Sequence, residues 1–275
     1  DELPEFRQRR NNCFGVDDLK NCFSVEIIEK ALTELSANKA GGVDEINSFV
    51  LKMCAHEFAI PLNIIFQRSL IEGKVPSQWK VANITPIFKK GSRTIAANYR
   101  PVSLTSILCK LMEKIVRRHF MTYLERENLI VKAQHGFVSK KSCTTNLLET
   151  LDILTKSLSD GLPVDLVYLD FLKAFDMVPH RRLLHKLKGY GVKDDLLKWF
   201  ESFLIGRKQR VVLGTTISDW KEVTSGVPQG SVLGPLLFVL YINDLPDVIN
   251  SMCKLYADDS KIITILDNPE KTQVL

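Results

Sequence analysis

An α+β fold is what this chain predicts, on three observations. The first half carries apolar residues at helical spacing: Val25, Ile28, Leu32 and Leu35 behind Ser24, then Leu108, Leu111, Ile115 and Tyr123 in a longer segment. The second half holds an apolar run, 164–169, that suits a strand ending at Asp170. Two further short apolar runs, 252–255 and 262–265, flank Tyr256-Ala257-Asp258-Asp259 as the arms of a hairpin would.

Taken in order, residues 1–23 are polar, basic at Arg7-Gln8-Arg9-Arg10 and without pattern, and read as a linker or N-terminal extension. Ser24 suits an N-cap, with Glu26 in the first turn. That helix should stop near Asn38-Lys39-Ala40-Gly41-Gly42, where glycine permits positive φ. A second helix is expected over 47–58 and a third over 61–71, with Pro61 in its first turn and Gly73 as its stop. A strand follows within 79–90, then a polar loop and the segment 98–104. The long helix is expected over 106–127, with Lys110, Lys114, Arg117 and Arg118 facing outward. Ser142-Cys143-Thr144-Thr145 opens a helix to about Asp160. After the strand to Asp170 come helices over 179–190 and 194–204, a hairpin of 209–213 with 216–223 turning near Gly214, and a helix over 232–245. The organisation expected is a mostly helical region over 24–160 and a sheet-bearing region over 161–275.

An Asp-Asp pair in a tight turn has a plain explanation, since Asp side chains bond the nearby backbone. Asp170 at a strand end and the loop Ser225-Gly226-Val227-Pro228-Gln229-Gly230-Ser231 between the two sites point further. Carboxylates on neighbouring strands can share two divalent ions about 3.5–4 Å apart, the spacing that holds both oxygens of an in-line phosphoryl transfer. Mg²⁺ takes hard oxygen ligands, a few from carboxylates and the rest from phosphates and water. Mn²⁺ suits an all-oxygen site equally.

Composition sets bounds. With 275 residues, 45% hydrophobic and 25% charged, the chain can bury a large core in one or two domains. No apolar run reaches the roughly 18 residues of a membrane span. The six cysteines form no C-x-x-C pair, which argues against a zinc site and for a reducing compartment, nucleus or cytosol. Residues 68–141 hold 15 Lys or Arg against 4 Asp or Glu. Such a block suits a phosphate-gripping surface, or simply a solvated face. His135, a lone histidine, is more readily a structural donor than a ligand.

The ordered motifs resemble the reverse transcriptase domain of non-LTR (LINE-type) retrotransposons, especially the jockey-like group. They are Asn38–Ile46, Asn98–Leu104, Gln134-His135-Gly136-Phe137, Tyr168–Asp176, Ser225–Pro235, Ile242-Asn243-Asp244-Leu245 and Tyr256–Asp259. The resemblance implies right-hand polymerase fingers (24–160) and palm (161–275), an antiparallel palm sheet backed by helices, and RNA-directed DNA synthesis from dNTPs on an RNA template and DNA primer. Asp170, the Phe171 carbonyl, Asp258 and Asp259 then match the metal ligands. Phe175 matches the aromatic gate against a 2′-hydroxyl. Gln229 and Gly230 match the loop beside the incoming nucleotide. Arg100 with Lys89 or Lys90 matches the triphosphate grip.

The chain departs from the family at Leu172, Val138, Lys140-Lys141 and Val43, none of them a metal ligand. The family's thumb and a further palm motif fall beyond Leu275, so the chain reads as a piece of a longer intracellular enzyme, weak or inactive alone. Two alternatives stand beside this reading: a non-catalytic nucleic-acid-binding remnant, and an intron-type reverse transcriptase acting as a maturase.

Overall fold

The computed structural model describes residues 3, 6, 12–38 and 40–266. The basic run Arg7–Arg10, Lys39 of the first motif and the tail 267–275 lie outside the described residues.

The later part of the expected linker, residues 14–23, joins the core. Phe14, Val16, Leu19, Cys22 and Phe23 are buried, the last four in the 3-10 helix Val16–Phe23. Phe14 pairs through its backbone with Gly191 and Lys193, and its ring stacks on Phe120 and Tyr123. The apolar spacing here is that of a 3-10 turn and too short to show helical periodicity, which is why the stretch reads as unpatterned.

Ser24 caps α1 (Val25–Thr33), its hydroxyl accepting from the Ile27 N–H. The next two helices differ from expectation. α2 (Ser48–Met53) is short, and α3 (Ala55–Glu72) starts six residues before Pro61 and carries it inside. The break falls at Cys54, at φ −106° and ψ 37°, and Gly73 ends α3 at φ +62° as expected. β1 (Val81–Phe88) and β2 (Tyr99–Leu104) pair antiparallel. α4 (Ile107–Arg126) and α5 (Cys143–Ser159) start where expected, capped by Ser106 and Ser142.

β3 (Val164–Leu169) leads to Asp170. α6 (His180–Gly189) and α7 (Asp194–Leu204) follow. The expected hairpin forms as β4 (Lys208–Leu213) with β5 (Thr216–Ile217), but its second arm breaks before β6 (Lys221–Glu222). β4 also runs parallel to β1, so the first sheet is mixed, in the order β2-β1-β4-β5 with β6 on β4. α8 (Gly234–Ile242) is buried, and β7 (Met252–Tyr256) and β8 (Asp259–Ile265) close the second sheet, antiparallel in the order β3-β8-β7. The fold is therefore a mixed α and β one with two sheets. Among the described residues no helix is long and apolar enough to cross a membrane.

α5 is turned against its own composition. It buries Asn146, Thr150 and Ser157 and exposes Leu147, Leu148, Leu151 and Leu158. The polar face is inward because it has partners there: Asn146 donates to the Leu255 carbonyl at 3.1 Å and Thr150 accepts from Lys261 at 2.9 Å.

The packed N-terminal segment gives a direct test. Phe23 is fully buried against Phe66, with ring centroids 5.6 Å apart. Phe23→Ala should cost about 3–5 kcal/mol in urea unfolding. A linker residue would shift stability by less than about 0.5 kcal/mol.

Candidate active site

Strand register assembles the acidic cluster. Tyr256 pairs with Asp259 across β7 and β8, so Ala257 and Asp258 form a two-residue turn. Leu169 pairs with Ser260 across β3 and β8, which brings Asp170, the next residue, beside Asp259. Asp170 and Asp259 are exposed and Asp258 is half-buried. Burial holds the Asp258 carboxyl above the usual carboxylate range; Asp259 and Asp170 add to the rise, while its own backbone N–H and Arg100 oppose it. The three aspartates and Arg100 therefore share one electrostatic neighbourhood.

Among the described residues no group of three His, Cys, Asp or Glu side chains is gathered tightly enough to hold a metal ion as it stands. The donor set nevertheless fits a hard divalent cation. It offers only carboxylate oxygens here, and among the described residues none of the three aspartates has an ion-pair partner. Their mutual repulsion is what a cation would relieve.

The turn itself is clamped from outside. Ala257 sits at φ +56°, a left-handed conformation unusual for a residue with a Cβ. The fully buried Gln134 holds it: its Oε1 accepts from Ala257 N–H at 3.0 Å and from Gly136 N–H at 2.8 Å. A Cβ on Gly136 would fall on the Ala257 nitrogen, so only glycine lets the two segments meet. Leu255 is bonded on both sides, to Ala133 and His135, along the same edge. His135 is structural, its Nδ1 within 2.8 Å of the Thr145 hydroxyl.

The glycine loop is fixed between two elements. Val227 N–H donates to the Phe175 carbonyl, and Gln229 Nε2 donates to Asp176 Oδ1, both at 2.8 Å. On the other side Ser103 N–H donates to the Gln229 carbonyl at 2.7 Å. Gly230, at φ +119°, lies so close to the Ser103 carbonyl that a Cβ would overlap it. Phe175 is half-buried, stacked on Phe238 with centroids 4.3 Å apart and edge-on to Phe137. Phe171 is exposed beside Asp170.

The predicted cations are less uniform. Arg100 is exposed on β2, and Lys89 and Lys90 are exposed just past β1. On α4, Lys110 is half-buried, Lys114 pairs with Glu34 at 3.1 Å, and Arg117 reaches the Phe137 carbonyl at 3.4 Å. Arg118 is exposed beside His119. So α4 does not present four free cations in a row: Lys114 and Arg117 are already engaged with the protein.

Two positioning groups were not anticipated. Gln134 and Gly136 stood in a quoted motif without a role. Glu113 was overlooked, though an acid in the apolar stripe Cys109–Met112–Val116–Phe120 was a visible signal. Its carboxylate, 1% exposed, accepts from Val232 and Leu233 N–H at 2.7 and 2.9 Å and so caps α8 at the end of the glycine loop. Burial pushes its pKa up, against those N–H groups, Arg207 and Cys109.

The chain belongs to the reverse transcriptase (RNA-dependent DNA polymerase) family, whose profile matches residues 87–274. More particularly, it is similar to polymerases of Drosophila melanogaster mobile elements. It is 30% identical over 250 residues to the RNA-directed DNA polymerase from mobile element jockey, covering 88% of this chain and 27% of that protein. It is 29% identical over 264 residues to the probable RNA-directed DNA polymerase from transposon X-element, covering 94% of this chain and 29% of that one. The counterpart from transposon BS is 30% identical over 254 residues, 87% of this chain and 27% of that protein. The chain thus spans under a third of the length of these curated relatives.

Removing the clamp should free the turn. Gln134→Ala leaves the buried Ala257 N–H without an acceptor, a loss of about 1–3 kcal/mol. Amide exchange at Ala257 should accelerate in Gln134→Ala and Gly136→Ala alike, while exchange in α7 stays as in the wild type.

Glu113 should leave a pH signature. Because its folded pKa is raised, the native state keeps a proton that the unfolded chain has released, so this group's contribution to stability falls as pH rises above the usual glutamate range. Urea midpoints of Glu113→Gln should fall less over that window than those of the wild type; a parallel decline in both proteins would remove the assignment.

Proposed function

We propose that the chain is the fingers and palm of an RNA-directed DNA polymerase of a non-LTR retrotransposon, with 24–160 as fingers and 161–266 as the described part of the palm. One observation carries the catalytic reading: the β3-β8-β7 register that sets Asp170 against the Asp258–Asp259 turn. Two divalent ions, Mg²⁺ or Mn²⁺, would be held by Asp170, Asp258, Asp259 and the Phe171 carbonyl, and would supply charge stabilisation to nucleotidyl transfer onto a primer 3′-hydroxyl.

The chain's own groups do the rest by positioning. Arg100 with Lys89 or Lys90 pairs with the triphosphate, Arg by its bidentate fork. Phe175, wedged against Phe238 and unable to recede, excludes a 2′-hydroxyl by bulk. Gln229 and Gly230 border the incoming base, the Gln229 carbonyl held by the Ser103 N–H and its side chain by Asp176. Lys110, Lys114, Arg117 and Arg118 form part of a basic face for the RNA template and DNA primer, acting inside the cell.

Metal-dependent incorporation of a single deoxynucleotide on an RNA template tests this, in the chain and in a longer polypeptide containing it. Asp258→Asn should lower the rate at least about 1,000-fold with template affinity nearly unchanged. Wild-type turnover in Asp258→Asn would sink the site. Tight RNA binding with no incorporation by any form would favour the non-catalytic remnant.

A further inference from the structure

Behind the catalytic hairpin, on the outer side of β7, lies a cleft of about 510 Å³ whose lining includes Lys132, Lys141, Lys254 and Glu149 over Cys253. Its charges do not balance. Lys254 stands directly across from Lys261 in the β7–β8 register, a like-charge pair that destabilises a sheet unless something neutralises it. The one carboxylate in the lining, Glu149, pairs with Lys254 at 2.5 Å. Among the described residues, Lys261 bonds the Thr150 hydroxyl, at 2.9 Å, and the Lys141 ammonium the carbonyl of Lys132, and neither has an ion-pair partner. Lys132 is exposed.

A second observation points the same way. His135 Nε2 is buried and lacks a hydrogen bond of proper geometry, though Glu149 lies 3.3 Å from it. A single carboxylate thus faces three lysines and an imidazole. The groups sense one another: burial, Lys254 and Lys132 hold the Lys141 pKa below its ordinary value, with Glu149 opposing.

We propose that this cleft binds the phosphodiester backbone of a nucleic-acid strand, with Lys132, Lys141 and Lys254 donating to phosphate oxygens. The lining has no aromatic ring on which a base could stack, so the cleft reads backbone rather than sequence. The site is separate from the carboxylate cluster: Lys254 stands two strand residues before the turn begins, about 7 Å back at strand rise, and none of the three aspartates lines the cleft. The inference stands on the cleft's own charge and goes beyond the polymerase reading.

The test is binding of a short fluorescein-labelled oligouridylate by anisotropy across a chloride series, without dNTPs or divalent ions, so an inactive polymerase leaves the result intact. Lys132→Gln with Lys141→Gln should weaken binding and reduce the logarithmic salt slope by about 1.4, the share of two phosphate contacts on a single strand. Glu149→Gln should act in the opposite sense and tighten binding about threefold, because it removes the competing carboxylate. Glu149→Gln keeps the idea testable even if the lysine variant fails to fold. An unchanged slope in a folded lysine variant, or weaker binding by Glu149→Gln, overturns the proposal. Inorganic phosphate should displace the oligonucleotide no better than chloride at equal ionic strength. Displacement well below that, or an acidic peptide binding as tightly, would overturn the backbone assignment.

Discussion

The left-handed backbone at Ala257 is the constraint on which the site depends. A two-residue turn needs positive φ at its first central position, which glycine supplies without cost. Here the position is alanine, so the strain must be offset by contacts outside the turn. The Gln134 carboxamide does this by taking the Ala257 N–H and the Gly136 N–H on one oxygen. Gly136 lets the segment come close enough, and Asn146 of α5 holds the Leu255 carbonyl two residues before the turn. The aspartates are therefore aimed by a buried amide and a helix that carry no catalytic chemistry.

The glycine loop follows the same logic. It has no regular structure of its own, yet each end is bonded to a different element. Asp176 and Phe175 hold its start, Ser103 of β2 holds its middle, and Glu113 of α4 caps its exit into α8. Because β2 also carries Arg100, a shift of the β1–β2 hairpin moves both a cation and the loop that would meet a nucleotide. The parallel pairing of β4 with β1 ties that hairpin to the second half of the chain.

How much of this could be read from sequence follows from the range of each interaction. The cap at Ser24, the helix starts near Ser106 and Ser142 and the stop at Gly73 were legible, because a helix end is decided within one turn. The acidic hairpin and the strand to Asp170 were legible by alternation and turn chemistry. The Val16–Phe23 turn was not, since its apolar residues pack on distant helices. Pro61 misled because its position within α3 is settled by packing of the whole helix. The β4–β1 pairing left no local trace, and neither did the inversion of α5, whose leucines periodicity would turn inward. Glu113 and Gln134 were visible as residues and silent as contacts, because their partners lie 119 and 123 positions away.

Charge along the β7–β8 hairpin is sorted end to end. Asp258 and Asp259 stand at the tip, and Lys254 and Lys261 face each other a few residues back. At about 7 Å of backbone separation and an effective dielectric near 20, one such lysine would attract one aspartate by about 2 kcal/mol before salt screening, so distance alone does not keep the two ends apart. Each lysine is instead held by α5, through Glu149 or Thr150. The cations therefore cannot fold forward to neutralise the tip. Had they done so, they would oppose the rise of the Asp258 carboxyl above its ordinary range, which burial produces first and Asp259 and Asp170 add to. Helix α5 thus does two things with one polar face: it anchors the strand that carries the aspartates, and it keeps the nearest lysines off them. That is the physical reason its leucines point outward, and why an acidic tip and a basic base coexist on one short hairpin.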